Sequence, residues 1–224
     1  MRIMRIVLVS LAMILLSAPV IHGQDLSKYR NFSFGMSVVS VSKQVDRQPT
    51  EPKVIHQRPA LIEESTWYPS QPYDSSRPAE PVEKILFSFY NGELYRMLVT
   101  YDRSAIKGLT DEDMIRVVSA KYGVAARPVA DVNFPLNPSY RATEKVIARW
   151  EDSQYSLNLF RSSTADTFAI VMFSKQLDAQ AGIAIAESVK LEQLEAPQME
   201  AARVKKEAAD LEGERQKNIK TLRP

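Results

Sequence analysis

The sequence contains no cysteine among its 224 residues, and this absence excludes several kinds of chemistry. Disulfides, thiolate nucleophiles and thiolate metal ligands all need that side chain. Small exported domains often depend on disulfides. This chain must therefore be stabilised by apolar cores, and it is long enough to form one or two of them.

Histidine and glycine are also scarce, with two and seven copies. Metal sites and histidine-dependent triads need more partners than His56 has nearby in the sequence. No glycine-rich phosphate loop and no dinucleotide fingerprint is present. We therefore expect no catalytic, cofactor-binding or metal-binding residue, no cofactor, and a protein that is not an enzyme. Carboxylates are plentiful, so a periplasmic hydrolase using paired carboxylates stays an alternative.

Long apolar runs occur only at the N-terminus. Arg2 and Arg5 precede the apolar run 6–16, and small residues follow up to Gly23. This order is typical of a secretory signal peptide, with cleavage after Gly23. The run is shorter than the ~20 residues that a membrane-spanning helix needs, although an uncleaved N-terminal anchor stays an alternative. We expect a periplasmic or secreted protein with no transmembrane segment after cleavage.

An excess of positive charge is missing as well. The chain has 29 Lys+Arg against 27 Asp+Glu, and residues 1–23 contain two arginines and no acid, so the remainder has 29 − 2 = 27 of each sign. Proteins that follow a nucleic-acid backbone need a basic excess on one face. The sequence therefore predicts no nucleic-acid partner.

The clearest local structure is a β-hairpin over residues 85–101. Two runs rich in β-branched and aromatic residues flank Asn91-Gly92, the dipeptide that best fits a type I′ turn. A regular two-residue hairpin opposes Tyr90 to Glu93, Phe89 to Leu94, Phe87 to Arg96, and Ile85 to Leu98. One face of this hairpin would be apolar and interrupted only by Arg96, as on a half-buried antiparallel sheet.

Three helices are predicted. Ser37 is the N-cap of a helix over 37–46, with a strand as the alternative. Thr110 begins a second helix, with acidic residues in its first turn, and Gly123 ends it. Residues 176–224 are rich in helix formers, and Pro197 is expected to kink that helix or to begin a new one. Its apolar stripe is broken, which favours a solvated single helix over a coiled coil.

These elements predict an α+β fold, an antiparallel sheet packed on helices with a long C-terminal helix. We predict strands over 60–68, 145–150, 154–161 and 167–174, and connections over 47–59, the proline-rich loop 69–81 and 129–139. The predicted units are a signal peptide 1–23, modules 24–104 and 105–175, and a charged helical tail 176–224. Two helix-plus-three-strand repeats are one interpretation, and a chance similarity of element order is the other. The predicted core comprises Phe87, Phe89, Leu94, Leu98, Met114, Val117, Val118, Ile147, Leu157, Leu159, Ile170 and Met172.

Three aromatic residues give the only positive indication of a binding surface. Trp67, Tyr68 and Tyr73 lie at the entry to the proline-rich loop. Rigid aromatic side chains bury area against a protein partner at low entropic cost. The alternative is that Trp67 is a core residue and the two tyrosines brace the loop.

Two short motifs carry a resemblance to a known family. Gly35-Met36-Ser37 and Gly108-Leu109-Thr110 each open a predicted helix, and Tyr122-Gly123 closes the second one. In this respect the chain resembles the helix-plus-sheet module of outer-membrane assembly lipoproteins of the BamE (SmpA/OmlA) type, and the tandem modules of the β-lactamase-inhibitor-protein (BLIP) fold. It also resembles exported proteins of Gram-negative bacteria. There is no cysteine for a lipid anchor, so the lipoprotein role does not carry over.

The resemblance implies a binding or scaffolding module. We therefore expect an exported, non-catalytic protein of the cell envelope that acts through contacts with an envelope protein, which the sequence does not identify. A structural protein that oligomerises through its C-terminal helix is a further alternative, and the sequence leaves the oligomeric state undetermined.

Overall fold

A computed structural model describes residues 25–45, 48–70, 80–127, 133–137, 140–162 and 166–222. The predicted signal peptide, its cleavage after Gly23, and Tyr73 lie outside these ranges. The described elements are β1 (Lys28–Tyr29), β2 (Phe32–Ser33), α1 (Val38–Ser42), β3 (Lys53–His56), β4 (Ile62–Trp67), β5 (Val82–Tyr90), β6 (Glu93–Tyr101), α2 (Asp111–Tyr122), β7 (Asn133–Asn137), β8 (Tyr140–Glu151), β9 (Tyr155–Ser162), β10 (Thr167–Ser174) and α3 (Lys175–Thr221).

The main sheet has eight strands in the order β3-β4-β5-β6-β10-β9-β8-β7, and all neighbours are antiparallel. A separate two-stranded ribbon, β1-β2, lies beside it. This confirms the α+β fold class. On the two sides of the central β6-β10 pair, the elements α1, β3–β6 and α2, β7–β10 follow the same order. Each half contains four strands and not the three that the sequence predicts, and a duplication stays a prediction.

The two additional strands are the edge strands β3 and β7, in stretches where the sequence predicts only connections. Both stretches contain several prolines, and Pro135 lies inside β7. Proline cannot donate a ladder hydrogen bond, so within sheets it is tolerated at edges. Because both strands have only one paired neighbour in the sheet order, proline there marks an edge strand and not a loop.

The tip of the β5-β6 hairpin is confirmed, but the predicted register farther along is wrong. Asn91 and Gly92 both have positive φ, 50° and 83°. A β-bulge then adds Tyr95 to β6, because Phe89 faces Leu94 while the preceding Ser88 faces Arg96. The predicted pairs Phe87–Arg96 and Ile85–Leu98 are therefore replaced by Phe87–Met97 and Ile85–Val99. A shift of one residue moves side chains to the other face of a sheet, so Arg96 leaves the apolar face.

The largest core lies on one face of the sheet, which we call the first face. Val41 of α1, three residues of α2 and the β1-β2 ribbon cover it. Most of the predicted core is confirmed as buried, with three exceptions: Leu98 and Ile147 are only partly buried, and Val117 is 63% exposed. In α2 the buried stripe is Met114, Val118 and Tyr122, spaced by four, and Val117 lies about 100° from the middle of that stripe.

The predicted helix caps are confirmed. Ser37 accepts a hydrogen bond from the Ser40 backbone, and Thr110 forms a capping box with Asp113. Gly35 and Gly108 both have φ 83°, and each lies two residues before the N-cap, so the two motifs share a glycine of positive φ at the same position. The helix α1 is shorter than predicted and ends at Ser42.

The C-terminal helix α3 is one element of 47 residues, roughly 70 Å long. It passes through Pro197, so the alternative in which a new helix begins there is wrong. Across the described ranges, every helix falls short of the combination of length and apolar character that a membrane span requires.

Gly213 lies inside α3 and offers a simple test of its helical state. Its φ is ordinary for a helix, and a Cβ added there would meet no atom within 4 Å. Gly213→Ala should stabilise this part of α3 by about 1 kcal/mol, because alanine restricts the unfolded chain more than glycine does. Far-UV circular dichroism and hydrogen exchange measure this. Gly92→Ala is the control: with φ 83° it should destabilise the fold. A loss of helicity in Gly213→Ala would contradict a helix at this position.

Candidate functional site

The predicted aromatic surface is not assembled in the described part of the chain. Trp67 is 7% exposed, and its ring contacts Phe32 edge-on at 5.6 Å between centroids. Tyr68 is 48% exposed, and Tyr73 lies outside the described residues. The structure therefore places Trp67 in the core, as in the alternative interpretation, and leaves Tyr68 as the one described residue of this set at the surface.

The start of α3 packs against the other face of the sheet, which we call the second face. Ala181 and Ile185 of α3 pack against Ile62 of β4 and Tyr95, the residue added by the bulge. Partly buried side chains surround this small core, namely Ile55, Tyr90 and Leu177. We call this region, with the polar contacts described next, the α3 anchor.

A buried ion pair lies within the α3 anchor. Arg96 Nε donates to Asp178 Oδ1 at 2.8 Å, and Arg96 Nη2 contacts the same oxygen. The two side chains are only 7% and 19% exposed. The guanidinium also lies over the rings of Tyr95 and Phe173, at 5.7 and 5.9 Å from their centroids. Burial raises the pKa of Asp178, and the charge of Arg96 opposes that rise.

Farther along, α3 crosses the β3 edge of the sheet and makes three polar contacts. His56 Nδ1 and Glu192 Oε1 are 2.9 Å apart, and Arg58 Nη2 and Glu195 Oε2 are 2.7 Å apart. The Ser188 hydroxyl donates to the backbone carbonyl of Arg58. A groove of about 400 Å³ lies between β3 and α3 at this crossing, with Val54 on one side and Met199 on the other.

Serine, histidine and glutamate, the residue types of a nucleophilic catalytic site, come together at this crossing. A serine nucleophile must give its proton to the histidine. Ser188 is 2% exposed and its hydroxyl donates to the carbonyl of Arg58, so its proton is not directed at His56. Within the described ranges, no group of three or more histidine, aspartate or glutamate side chains could hold a metal ion. The geometry is that of a packing contact between α3 and the sheet edge.

Tyr95 makes the α3 anchor sensitive to alkaline pH. Its burial raises its pKa from 10.0 to about 12, whereas the phenol ionises normally once the chain unfolds. The stabilisation is therefore complete below about pH 10 and is lost as the pH rises to about 12. Between pH 9 and about pH 11.5 the free energy of unfolding of wild type should therefore fall by about 2 kcal/mol more than that of Tyr95→Phe, which has no phenol to ionise. Urea unfolding at pH 9 and about pH 11.5 measures the difference; parallel losses in the two proteins would contradict the prediction.

Beyond the anchor, the residues of α3 are exposed, and Met199 is the last of them that lines the groove beside β3. Every residue from 196 to 222 is exposed, and we call this segment the exposed half; it is roughly 39 Å long. Its ion pairs are local to the helix: Arg203 contacts Glu200 and Glu207 at 2.6 and 2.5 Å, and Arg215 contacts Glu212 at 3.1 Å. Pairs of this spacing support a helix only weakly, because both charges stay in water.

The sheet and the helices packed on it thus form a head, which holds the first part of α3 and leaves the second part accessible. The sequence predicts the helix but not its anchor, since Asp178, Glu192 and Glu195 look like ordinary helix-surface acids. No protein-family model matches the chain, and no curated protein or solved structure matches it either.

Proposed function

We propose that this chain is an exported, non-catalytic binding or scaffolding protein of the bacterial cell envelope, and that the exposed half of α3 carries its protein contacts. The observation that supports this is the division of one helix into two parts. Residues 175–195 are fastened to the sheet by an apolar core and a buried ion pair, and residues 196–222 are exposed.

The anchor has a physical consequence for the exposed half. Helix formation is limited by its first turn, while each added residue propagates easily. Because the anchored part already supplies a helical nucleus, the exposed half extends from it without a new nucleation step. A partner would then meet a helix that is already formed, and binding to a preformed helix loses less conformational entropy.

The test is in-cell crosslinking of the tagged mature chain, followed by mass spectrometry. A truncation after Glu195 removes the exposed half and leaves the residues of the α3 anchor in place. We expect a discrete crosslinked partner with the full chain and its loss with the truncation. Thermal unfolding of the head should be little changed, because the exposed half contributes no buried residue to the core.

Tyr68→Ala is a suitable control in the same experiment, because it removes an exposed aromatic side chain of the head. Partners that survive the truncation but are lost with Tyr68→Ala would contradict the proposal and assign binding to the head. The absence of any discrete partner would contradict it as well. N-terminal sequencing of the mature protein tests export separately, and a chain beginning at Gln24 is the expected result.

A further inference from the structure

A short apolar line runs along α3 on the side that faces away from the sheet. It runs from Leu194 through Ala201, Val204 and Ala208 to Leu211. Successive members are seven, three, four and three residues apart, which follows the heptad pattern of a helix–helix interface. Leu194, Val204 and Leu211 in this line are 73%, 51% and 66% exposed. At about 100° per residue the line lies roughly opposite Ala181 and Ile185, which face the sheet. We call it the apolar line.

Three glutamates border the apolar line on one side, again at intervals of seven: Glu200, Glu207 and Glu214. Lys205 and Glu212 border it on the other side. Residues in these flanking positions contact the neighbouring helix in a coiled coil and select its identity and orientation. The partner's charges can therefore be inferred from this border.

A second copy of this chain fits the border poorly. In an antiparallel pair the glutamate side of one helix meets the glutamate side of the other, so glutamate opposes glutamate in every register. In a parallel, in-register pair Glu200 would meet Lys205, but Glu207 would meet Glu212. Arg215, which continues the apolar line by one heptad step, would also face its own copy. Like charges that face each other, whether at flanking positions or within the interface, oppose association.

The bordering glutamates are accessible to a partner's cations. Arg203 contacts Glu200 and Glu207, but these are exposed pairs that water screens, so exchanging one cation for another loses little. Glu214 has no ion-pair partner among residues 166–222 or the other described ranges.

We propose that the apolar line and its glutamate border form the docking surface for an amphipathic helix of a different protein, which carries lysine or arginine beside its own apolar line. This inference rests on the proposed function, because it identifies the chemistry of the partner that the exposed half would bind. A basic flank on the partner would satisfy the glutamates and disfavour both the homodimer and acidic helices.

Two synthetic peptides provide the probe. Each is about three heptads long, with leucine at the interface positions and either lysine or glutamate at every flanking position. They are titrated by fluorescence anisotropy into the full mature chain at about 0.15 M ionic strength. We expect the lysine peptide to bind at least about tenfold more tightly than the glutamate peptide. Reversing the border with Glu200→Lys, Glu207→Lys and Glu214→Lys should reverse that preference.

Leu211→Asp tests whether the apolar line itself makes the contact, and Met199→Asp is its matched control. The two residues are similarly exposed, 66% and 68%, but Met199 lies on the sheet side of α3, where it lines the groove beside β3. Leu211→Asp should weaken lysine-peptide binding about tenfold or more, and Met199→Asp should leave it unchanged. Circular dichroism confirms that both variants stay helical.

Equal binding of the two peptides, or equal effects of the two aspartate variants, would overturn this inference. Self-association of the chain alone in sedimentation experiments would also overturn it, because a second copy would then be the occupant. The proposed function fails separately, if truncation after Glu195 removes no crosslinked partner. A partner that is lost on truncation, combined with no peptide preference, would keep the proposed function and reject only the basic helix.

Discussion

Replacing Asp178 with alanine is expected to lower the free energy of unfolding by about 3 kcal/mol and to loosen the start of α3. The substitution removes the Asp178 carboxylate that contacts Arg96. The Arg96 side chain is 7% exposed and lies between α3 and the sheet. Removing one member of a buried ion pair is strongly destabilising, by about 3–5 kcal/mol, because the remaining charge loses the attraction of that member in a region of low dielectric. The lower value is appropriate here because Asp178 is 19% exposed.

Urea unfolding measures the stability of this variant, and hydrogen exchange over residues 175–195 reports the release of the helix. Arg96→Met combined with Asp178→Leu should recover most of the loss, because replacing both charges with apolar side chains of similar size is often neutral or better. Glu200→Ala is the surface control, since its ion pair with Arg203 is exposed and screened by water, so its removal should change stability far less than Asp178→Ala does. A value for Asp178→Ala within about 0.5 kcal/mol of wild type would contradict a structural role for this ion pair.

The difference between the predicted and observed hairpin shows why such a pair is hard to predict. Asn91-Gly92 determines the turn through local backbone chemistry, so the tip follows from the sequence alone. The bulge at Tyr95 has no comparable local signal. It places Arg96 against Asp178, which is 82 positions away in the chain. The sequence carries one indirect signal of the bulge: a regular register leaves Arg96 on an otherwise apolar face, where a charged residue is unfavourable.

The same distinction applies to the other elements. The helix α2 has its cap, its acidic first turn and its terminal glycine within one stretch, and all three are confirmed. The strands β3 and β7 are stabilised by pairing with a neighbour, and their proline-rich sequences resemble loops. The partner of His56 is Glu192, 136 positions away, so neither residue alone predicts the contact. The exposed half of α3 was predictable because its helical preference is local.

Replacing Trp67 with alanine should lower the free energy of unfolding by about 3–5 kcal/mol, the range for removing a large aromatic side chain from a core. Trp67 faces Ile85 across the β4-β5 pair and contacts Phe32, whose ring also lies 4.8 Å from that of Phe87. The loss should therefore extend to the β1-β2 ribbon, which Phe32 connects to the sheet. Tyr68→Ala, one residue farther along, should change stability by no more than about 0.5 kcal/mol.

Thermal and urea unfolding of the two variants separates a core role from a binding role for these aromatic residues. A core residue affects stability whether or not a partner is present, whereas an interface residue affects binding and leaves the free protein intact. If Trp67→Ala kept the stability of wild type but lost the crosslinked partner, the aromatic surface predicted from the sequence would be the binding site, and the role proposed for the exposed half would fail. The 7% exposure of Trp67 and its edge-on contact with Phe32 favour the opposite result, a destabilised head whose helix still binds.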